Sequence, residues 1–171
     1  MTATKTRLDA RDIAIGCALV AFAFTLAADV RVPILAYVDL GFHELGHLLT
    51  YPLPDLLTAM AGSFTQVAVP AGLAAYFYLM QSDRGAAALC LGWAGTSAAD
   101  AARYIADAPF ERLPLLGGDH DWAFVLSETN LVHRAAVFAT IVRVAAWLML
   151  AVGAATLASP YVRAWARGER F

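Results

Sequence analysis

The sequence predicts an all-α membrane protein, a polytopic bundle of four full transmembrane helices plus one motif-bearing helix that either spans the bilayer or is re-entrant. Two observations predict this fold class. Of the 171 residues, 60% are hydrophobic and 15% are charged, and the mean hydropathy of +0.61 lies outside the range of ordinary soluble domains. The apolar residues also form five long runs, and runs of that length suit helices in a bilayer.

We expect one integral membrane domain over residues 1–171, with no internal repeat and no second domain. Its transmembrane segments and its one long polar loop are expected at these positions: spans at about 13–28, 34–51, 61–80, 86–106 and 135–158, and the loop at 107–133.

The first span follows a polar, mildly basic N-terminus that contains Lys5, Arg7 and Arg11. This segment resembles the front of a secretory signal, but long apolar runs follow it, so we expect an uncleaved span. The basic residues place the N-terminus on the cytoplasmic side of the membrane.

Prolines mark the second and third spans. Pro52 and Pro54 end the second helix. Pro70 lies inside the third span and frees a backbone carbonyl, which would open room for an extended peptide. Gln66 of the same span is a candidate substrate-binding residue that would hydrogen-bond the peptide backbone. The alternative is that polar side chains in this span bond across packed helices.

The last two spans differ in composition. The fourth is rich in small residues, which allow close helix packing, and we expect its Asp100 and Arg103, three residues apart, to pair with each other. The fifth leads into a basic tail with Arg163, Arg167 and Arg170, which we expect to act as a cytoplasmic anchor.

Charge and cysteine content exclude other classes of protein. A net charge of −2 gives no basic field for nucleic acid, and the sequence has no Gly-rich phosphate loop. Cys17 and Cys90 lie in apolar runs, where we expect small core residues and not a disulfide framework. We therefore expect no nucleic-acid partner and a multi-pass location in a lipid bilayer, of the bacterial cytoplasmic (inner) membrane type.

The second span carries His43, Glu44 and His47 in its later half. On a helix the two histidines project from one face, so their imidazoles can take adjacent corners of a tetrahedral metal site. Glu44 is placed beside them to hold an attacking water and take its proton. We predict a Zn²⁺ site with Glu44 as the catalytic base. The alternative is a set of buried polar residues bonded to neighbouring helices, although such groups are costly in hydrocarbon.

A catalytic zinc normally takes three protein ligands and leaves a fourth position open. The positions that hold the third ligand in soluble metzincins and thermolysin-like enzymes carry no suitable residue here. The polar loop supplies the candidates. His120 is our first choice for the third ligand and Asp121 the second, either as ligand or as hydrogen-bond partner of a ligand histidine. We expect Asp119 to cap a short helix that starts near His120.

Two further polar residues lie near this motif or on a neighbouring span. Asp39 shares the helix face of His43 and His47, where it either orients a ligand histidine or lies at the headgroups. Tyr104, on the fourth span, is a candidate donor to an oxyanion.

These residues resemble those of the site-2-type intramembrane zinc metalloproteases and their small multi-pass members. His43, Glu44 and His47 match the His-Glu-x-x-His motif that the family carries in a membrane helix. Residues 114–119 are similar to its second motif, of the Leu-Asp-Gly type, with the glycines placed before the aspartate. The resemblance implies zinc-dependent cleavage of peptide bonds in a membrane-embedded or membrane-proximal peptide.

Two topologies and two functions stay open at this point. If the second segment is re-entrant, both basic termini lie inside; if it spans, the basic tail lies outside, which the positive-inside rule disfavours. The rival function is a non-enzymatic membrane protein that binds or transports a metal with the same ligands. A haem-binding bundle is disfavoured, because His43 and His47 on one helix cannot ligate opposite faces of one haem.

Overall fold

The computed structural model describes residues 9–115 and 118–168, and the regular secondary structure in these ranges is entirely helical. The helices are α1 Ala10–Ala28, α2 Pro33–Thr50, α3 Asp55–Leu79, α4 Arg84–Asp107, α5 Asp121–Glu128 and α6 Ala135–Ala166, with a 3-10 turn at Val132–Arg134. The all-α prediction is confirmed. The polar loop 107–133 contains α5, and the last helix continues past its predicted end through Pro160. Lys5, Arg7 and Arg170 lie outside the described residues.

Among the described residues, three helices are long and apolar enough to cross a membrane: α1, α3 and the continuous helix Val132–Ala166. This composition is that of a membrane protein. The helices α2 and α4 do not reach the same apolar length. Helix α2 carries two histidines and two carboxylates, and helix α4 has charged residues at both ends.

Ion pairs at the helix ends fix the relative directions of α1 and α4. Arg11 in the first turn of α1 pairs with Asp83, the N-cap of α4, at 2.6 Å. Asp29, which caps the end of α1, pairs with Arg103 near the end of α4 at 3.3 Å. The two helices therefore run parallel. We call the end of the bundle that contains Asp29 and Arg103 the upper end.

The other long helices run in the opposite direction. Arg143, early in α6, pairs with Asp29 at 2.8 Å, and Tyr161 near the end of α6 donates to Asp12 in the first turn of α1. The short turn 80–83 joins α3 to α4, so α3 also begins at the upper end.

Small side chains bring α4 against α6. Alanines of α4 and α6 are almost fully buried at this contact, including Ala88, Ala98, Ala102 and Ala146. The prediction of a closely packed fourth helix is confirmed. The predicted pair within α4 is also confirmed, because Arg103 Nη1 donates a hydrogen bond to Asp100 Oδ1 at 2.8 Å.

The second helix starts and finishes at the upper end of the bundle. Arg31, just before α2, lies 3.6 Å from Asp100, while Thr50 at the end of α2 accepts a hydrogen bond from Thr58 in the first turns of α3. Pro33 occupies the first turn of α2, where proline fits because no N–H is needed there. The 18 residues of α2 therefore lie against α3 and α4 with both flanks at the upper end, and their contacts reach Gln66 and Trp93 near the middle of those helices.

Candidate metal centre

Three side chains from two helices converge at the upper end. The Nε2 atoms of His43 and His47, on adjacent turns of α2, lie 3.0 and 3.3 Å from Asp121 Oδ2 in the first turn of α5. One potential ligand atom from each residue lies within 4.8 Å of the others. His43 is buried and the other two are half-buried. Two imidazoles and a carboxylate form a common donor set for zinc.

The remaining nitrogen of each histidine has a backbone or amide acceptor. His43 Nδ1 donates to Gln66 Oε1 at 3.0 Å, and His47 Nδ1 donates to the backbone carbonyl of Thr58 at 2.8 Å. The Gln66 amide is oriented by its own donor group, since its Nε2 donates to the Ser97 carbonyl at 3.1 Å. Both histidines therefore carry the Nδ1 proton when neutral, and each Nε2 presents a lone pair.

This tautomer leaves three acceptors facing one another. In this tautomer the two Nε2 lone pairs and the carboxylate of Asp121 do not bond one another directly, whereas a proton on one ring or a metal ion between them would engage them. One proton would serve one histidine, and two adjacent imidazolium rings would repel. In a tetrahedral zinc site with bonds of about 2.0–2.1 Å, neighbouring ligand atoms lie about 3.3 Å apart. The two distances to Asp121 Oδ2, 3.0 and 3.3 Å, are close to that separation.

Glycine at position 62 makes room for the ligand atoms. A Cβ on Gly62 of α3 would lie 2.5 Å from His43 Nε2 and 2.6 Å from His47 Nε2. Gly46 of α2 is its counterpart, because a Cβ there would meet the backbone of Ala61 and lie 2.7 Å from Thr65 Oγ1. The two glycines let α2 and α3 cross closely. They place the imidazoles directly over the α3 backbone.

The structure places Asp121, our second choice, in the ligand group, and it does not bring His120 there. His120 instead caps α5, because its Nδ1 accepts from the Ala123 N–H at 3.2 Å. Its Nε2 lies 3.5 Å from Asp107 Oδ2. A short helix does begin at this point, as predicted, but the cap is His120 and not Asp119.

Glu44 lies in the wall of a cavity of about 660 Å³ that also borders all three candidate ligands. Within the described ranges no hydrogen bond or ion pair engages the Glu44 carboxylate, and its residue is exposed. Other acidic residues of the lining are Asp39, Asp100 and Asp119. The cavity thus places a free carboxylate beside the ligand group, in a space large enough for a short peptide segment.

Asp39 and Gln66, two polar residues that the sequence suggested as functional, form hydrogen bonds with other side chains and backbone groups of the bundle. Asp39 is buried at 3% exposure and accepts from the Trp93 indole N–H at 2.8 Å, so the structure shows it bonded to α4 and not to a ligand histidine. Gln66 lines the cavity, but its amide is bonded to His43 and Ser97. Its predicted role in substrate binding stays a prediction.

Sequence reasoning missed two contributions to the centre, the Thr58 carbonyl and the space above Gly62, and neither had a signal in the sequence. It named Tyr104 as a donor to an oxyanion, but the hydroxyl of Tyr104 contacts Asp121. Of the second motif of the resemblance, Leu116 and Gly117 lie outside the described residues.

Comparisons of the chain with models of known protein families, with curated proteins and with solved structures found no match.

Proposed function

We propose that this protein is a zinc-dependent intramembrane or membrane-proximal peptidase of the site-2-protease type. His43, His47 and Asp121 would hold the metal, and Glu44 would be the general base. The observation that supports the proposal most is the convergence of two Nε2 lone pairs and a carboxylate on one point, with the free carboxylate of Glu44 in the adjoining cavity.

Bound zinc would polarise the scissile carbonyl and stabilise negative charge on its oxygen. Glu44 would take a proton from the water that attacks the carbonyl carbon. It would then pass that proton to the amide nitrogen as the carbon–nitrogen bond breaks, leaving a carboxylic acid and an amine. The Nδ1 hydrogen bonds of His43 and His47 would hold both rings in the ligating tautomer throughout.

We further propose four full spans, α1, α3, α4 and α6, with α2 re-entrant from the upper end. The support is the pairing of helix ends: α1 and α4 finish at the upper end, α3 and α6 start there, and both flanks of α2 lie there. A re-entrant helix inside the hydrocarbon depth is tolerated when other helices cover its backbone. The substrate would then be a peptide at or within the upper leaflet of a bacterial-type cytoplasmic membrane.

The test compares metal content and hydrolysis in detergent-purified variants. Wild type should carry about one zinc per chain by elemental analysis and cleave a mixture of quenched fluorescent apolar peptides. Glu44→Gln should keep the zinc and lose cleavage by a factor of at least about 100, since acid–base catalysis contributes 10²–10⁴-fold. His47→Ala should lose both. Glu128→Gln, the same change at an exposed position on α5, is the matched control.

The same experiment distinguishes the rival function. A metal-binding or metal-transport protein is favoured by the acidic lining of the cavity, which includes Asp39 and Asp100 in addition to the ligand group. It predicts that Glu44→Gln leaves zinc flux into proteoliposomes unchanged while His47→Ala abolishes it. Retained peptide cleavage by Glu44→Gln would refute the peptidase mechanism.

A further inference from the structure

The hydroxyl of Tyr104 contacts the third candidate ligand twice. It accepts a hydrogen bond from the backbone N–H of Asp121 at 3.0 Å and donates one to Asp121 Oδ2 at 3.3 Å. A phenol has one proton to donate, and here its proton goes to the carboxylate while its lone pair receives the N–H. The backbone N–H and the side-chain carboxylate of Asp121 are therefore both hydrogen-bonded to the hydroxyl oxygen of Tyr104 in α4.

The ring of Tyr104 positions the residue before Asp121. It stacks on the imidazole of His120, with centroids 4.2 Å apart and planes at 29°. Its other contact is an edge approach to the His43 ring at 5.9 Å. One tyrosine thus contacts a histidine of the ligand group and both residues that begin α5.

His120 fixes the start of α5 from the other direction. It is 3% exposed and uses Nδ1 to accept from the Ala123 N–H, so its Nε2 carries the proton. Asp107 Oδ2 lies 3.5 Å from that Nε2 without a hydrogen bond between them, and it accepts from the backbone N–H groups of Arg112 and Leu113 at 2.9 Å. The cap and the stack together determine where the first helical residue, Asp121, points.

We propose that Tyr104 and His120 are positioning residues for the metal centre: they hold the Asp121 carboxylate against His43 and His47 and so complete the ligand set. This inference rests on the proposed metal site. A hydrogen bond to one carboxylate oxygen leaves the other lone pairs for the cation, and outer groups that orient a ligand typically change metal affinity 10–100-fold when removed.

Metal affinity and the visible spectrum of the Co²⁺-loaded protein test this role. Tyr104→Phe keeps the ring that stacks on His120 and removes only the hydroxyl. We expect its Kd for Zn²⁺, measured by competition with a chelating dye, to rise about 10-fold or more. The Co²⁺ absorption bands should shift, because they report the ligand geometry. Tyr76→Phe is the matched control, since the Tyr76 hydroxyl accepts a hydrogen bond from the exposed Gln81 side chain at the opposite end of the bundle.

A second variant keeps the result interpretable if the first packs poorly. His120→Asn retains a side chain suited to an N-cap and removes the ring that stacks on Tyr104. We expect a weaker zinc affinity with unchanged stoichiometry and unchanged helical content by circular dichroism.

The outcomes separate this proposal from the function on which it rests. Wild-type zinc affinity and an unchanged Co²⁺ spectrum in Tyr104→Phe would overturn the positioning role and leave the metal centre standing. Complete loss of zinc in His120→Asn, with Tyr104→Phe unaffected, would make His120 a ligand and overturn it as well. Failure of the wild type to bind any metal would remove the proposed function itself.

Discussion

Two clusters of ionisable side chains lie at the upper end of the bundle, and they differ in charge balance. The first, which we call the ion-pair cluster, joins α1, α4 and α6: Asp29, Arg31, Asp100, Arg103 and Arg143. Each carboxylate there has at least one guanidinium partner. The second is the ligand group His43, His47 and Asp121, in which three acceptors face one another.

This difference in charge balance distinguishes a cluster that stabilises the fold from one that could bind a ligand. Burial by itself would raise the pKa of Asp29, but the hydrogen bond from Arg143 and the charge of Arg103 outweigh it and hold that pKa below its ordinary value. Such a cluster is complete as it stands and ties three helices together. The ligand group has no cationic partner among the described residues, and a set of acceptors that a metal ion could join is typical of a binding site.

The largest effect on zinc affinity is expected at Gly62, an uncharged residue directly beside the ligand group. Gly62→Ala should lower zinc affinity by more than about 100-fold, because the new Cβ would lie 2.5–2.6 Å from both Nε2 atoms and ligand displacement costs more than loss of an outer partner. Gly72→Ala, on the same helix with nothing within 4 Å of its Cβ, is the matched control. Titration with Zn²⁺ measures both. Normal binding by Gly62→Ala would show that the metal lies elsewhere.

The hydropathy pattern was sufficient to predict an all-helical membrane protein, because each long apolar run is a local property of the chain, but three helices and not four reach the length and hydropathy of a full span among the described residues. The pairing of Asp100 with Arg103 was equally local, since three residues on a helix bring two side chains together. The same holds for His43 and His47. Short α5 was foreseen only as a helix starting near His120, because the loop around it is polar and lacks a long periodic pattern.

The third ligand could not be chosen from the sequence, because His120 and Asp121 are neighbours. Successive residues point about 100° apart on a helix of 3.6 residues per turn, so the choice depends on where α5 starts. That start is fixed by the stacking of His120 on Tyr104, which lies 16 residues earlier in the chain. Contacts of this kind are set by helix packing and leave no pattern at short range.

A smaller effect is expected in the ion-pair cluster. Arg103→Gln should destabilise the fold by about 2 kcal/mol, since it removes the nearer of the two guanidinium partners of Asp100 and one of the two partners of Asp29 in a half-buried setting. Zinc binding should stay near wild type, because Arg103 touches no candidate ligand. Chemical unfolding in detergent, followed by circular dichroism, measures the loss. An equal loss of stability and metal affinity would mean that the two clusters are coupled.

The smallest effect is expected at the opposite end, where Arg11 and Asp83 form an exposed pair. The hydrogen bond from Arg11, followed by the Ala86 N–H, holds the pKa of Asp83 below its ordinary value. A lowered carboxyl pKa contributes stability above the pKa of the unfolded chain, about 3.9, and that contribution disappears as the pH falls through the folded value. Asp83→Asn keeps an N-cap side chain. It should therefore unfold slightly more easily than wild type at pH 7 and equally easily near pH 2, as measured by parallel thermal melts. A difference that persists at the lower pH would assign the role of Asp83 to capping alone, and exposed charge pairs would then contribute nothing to this fold.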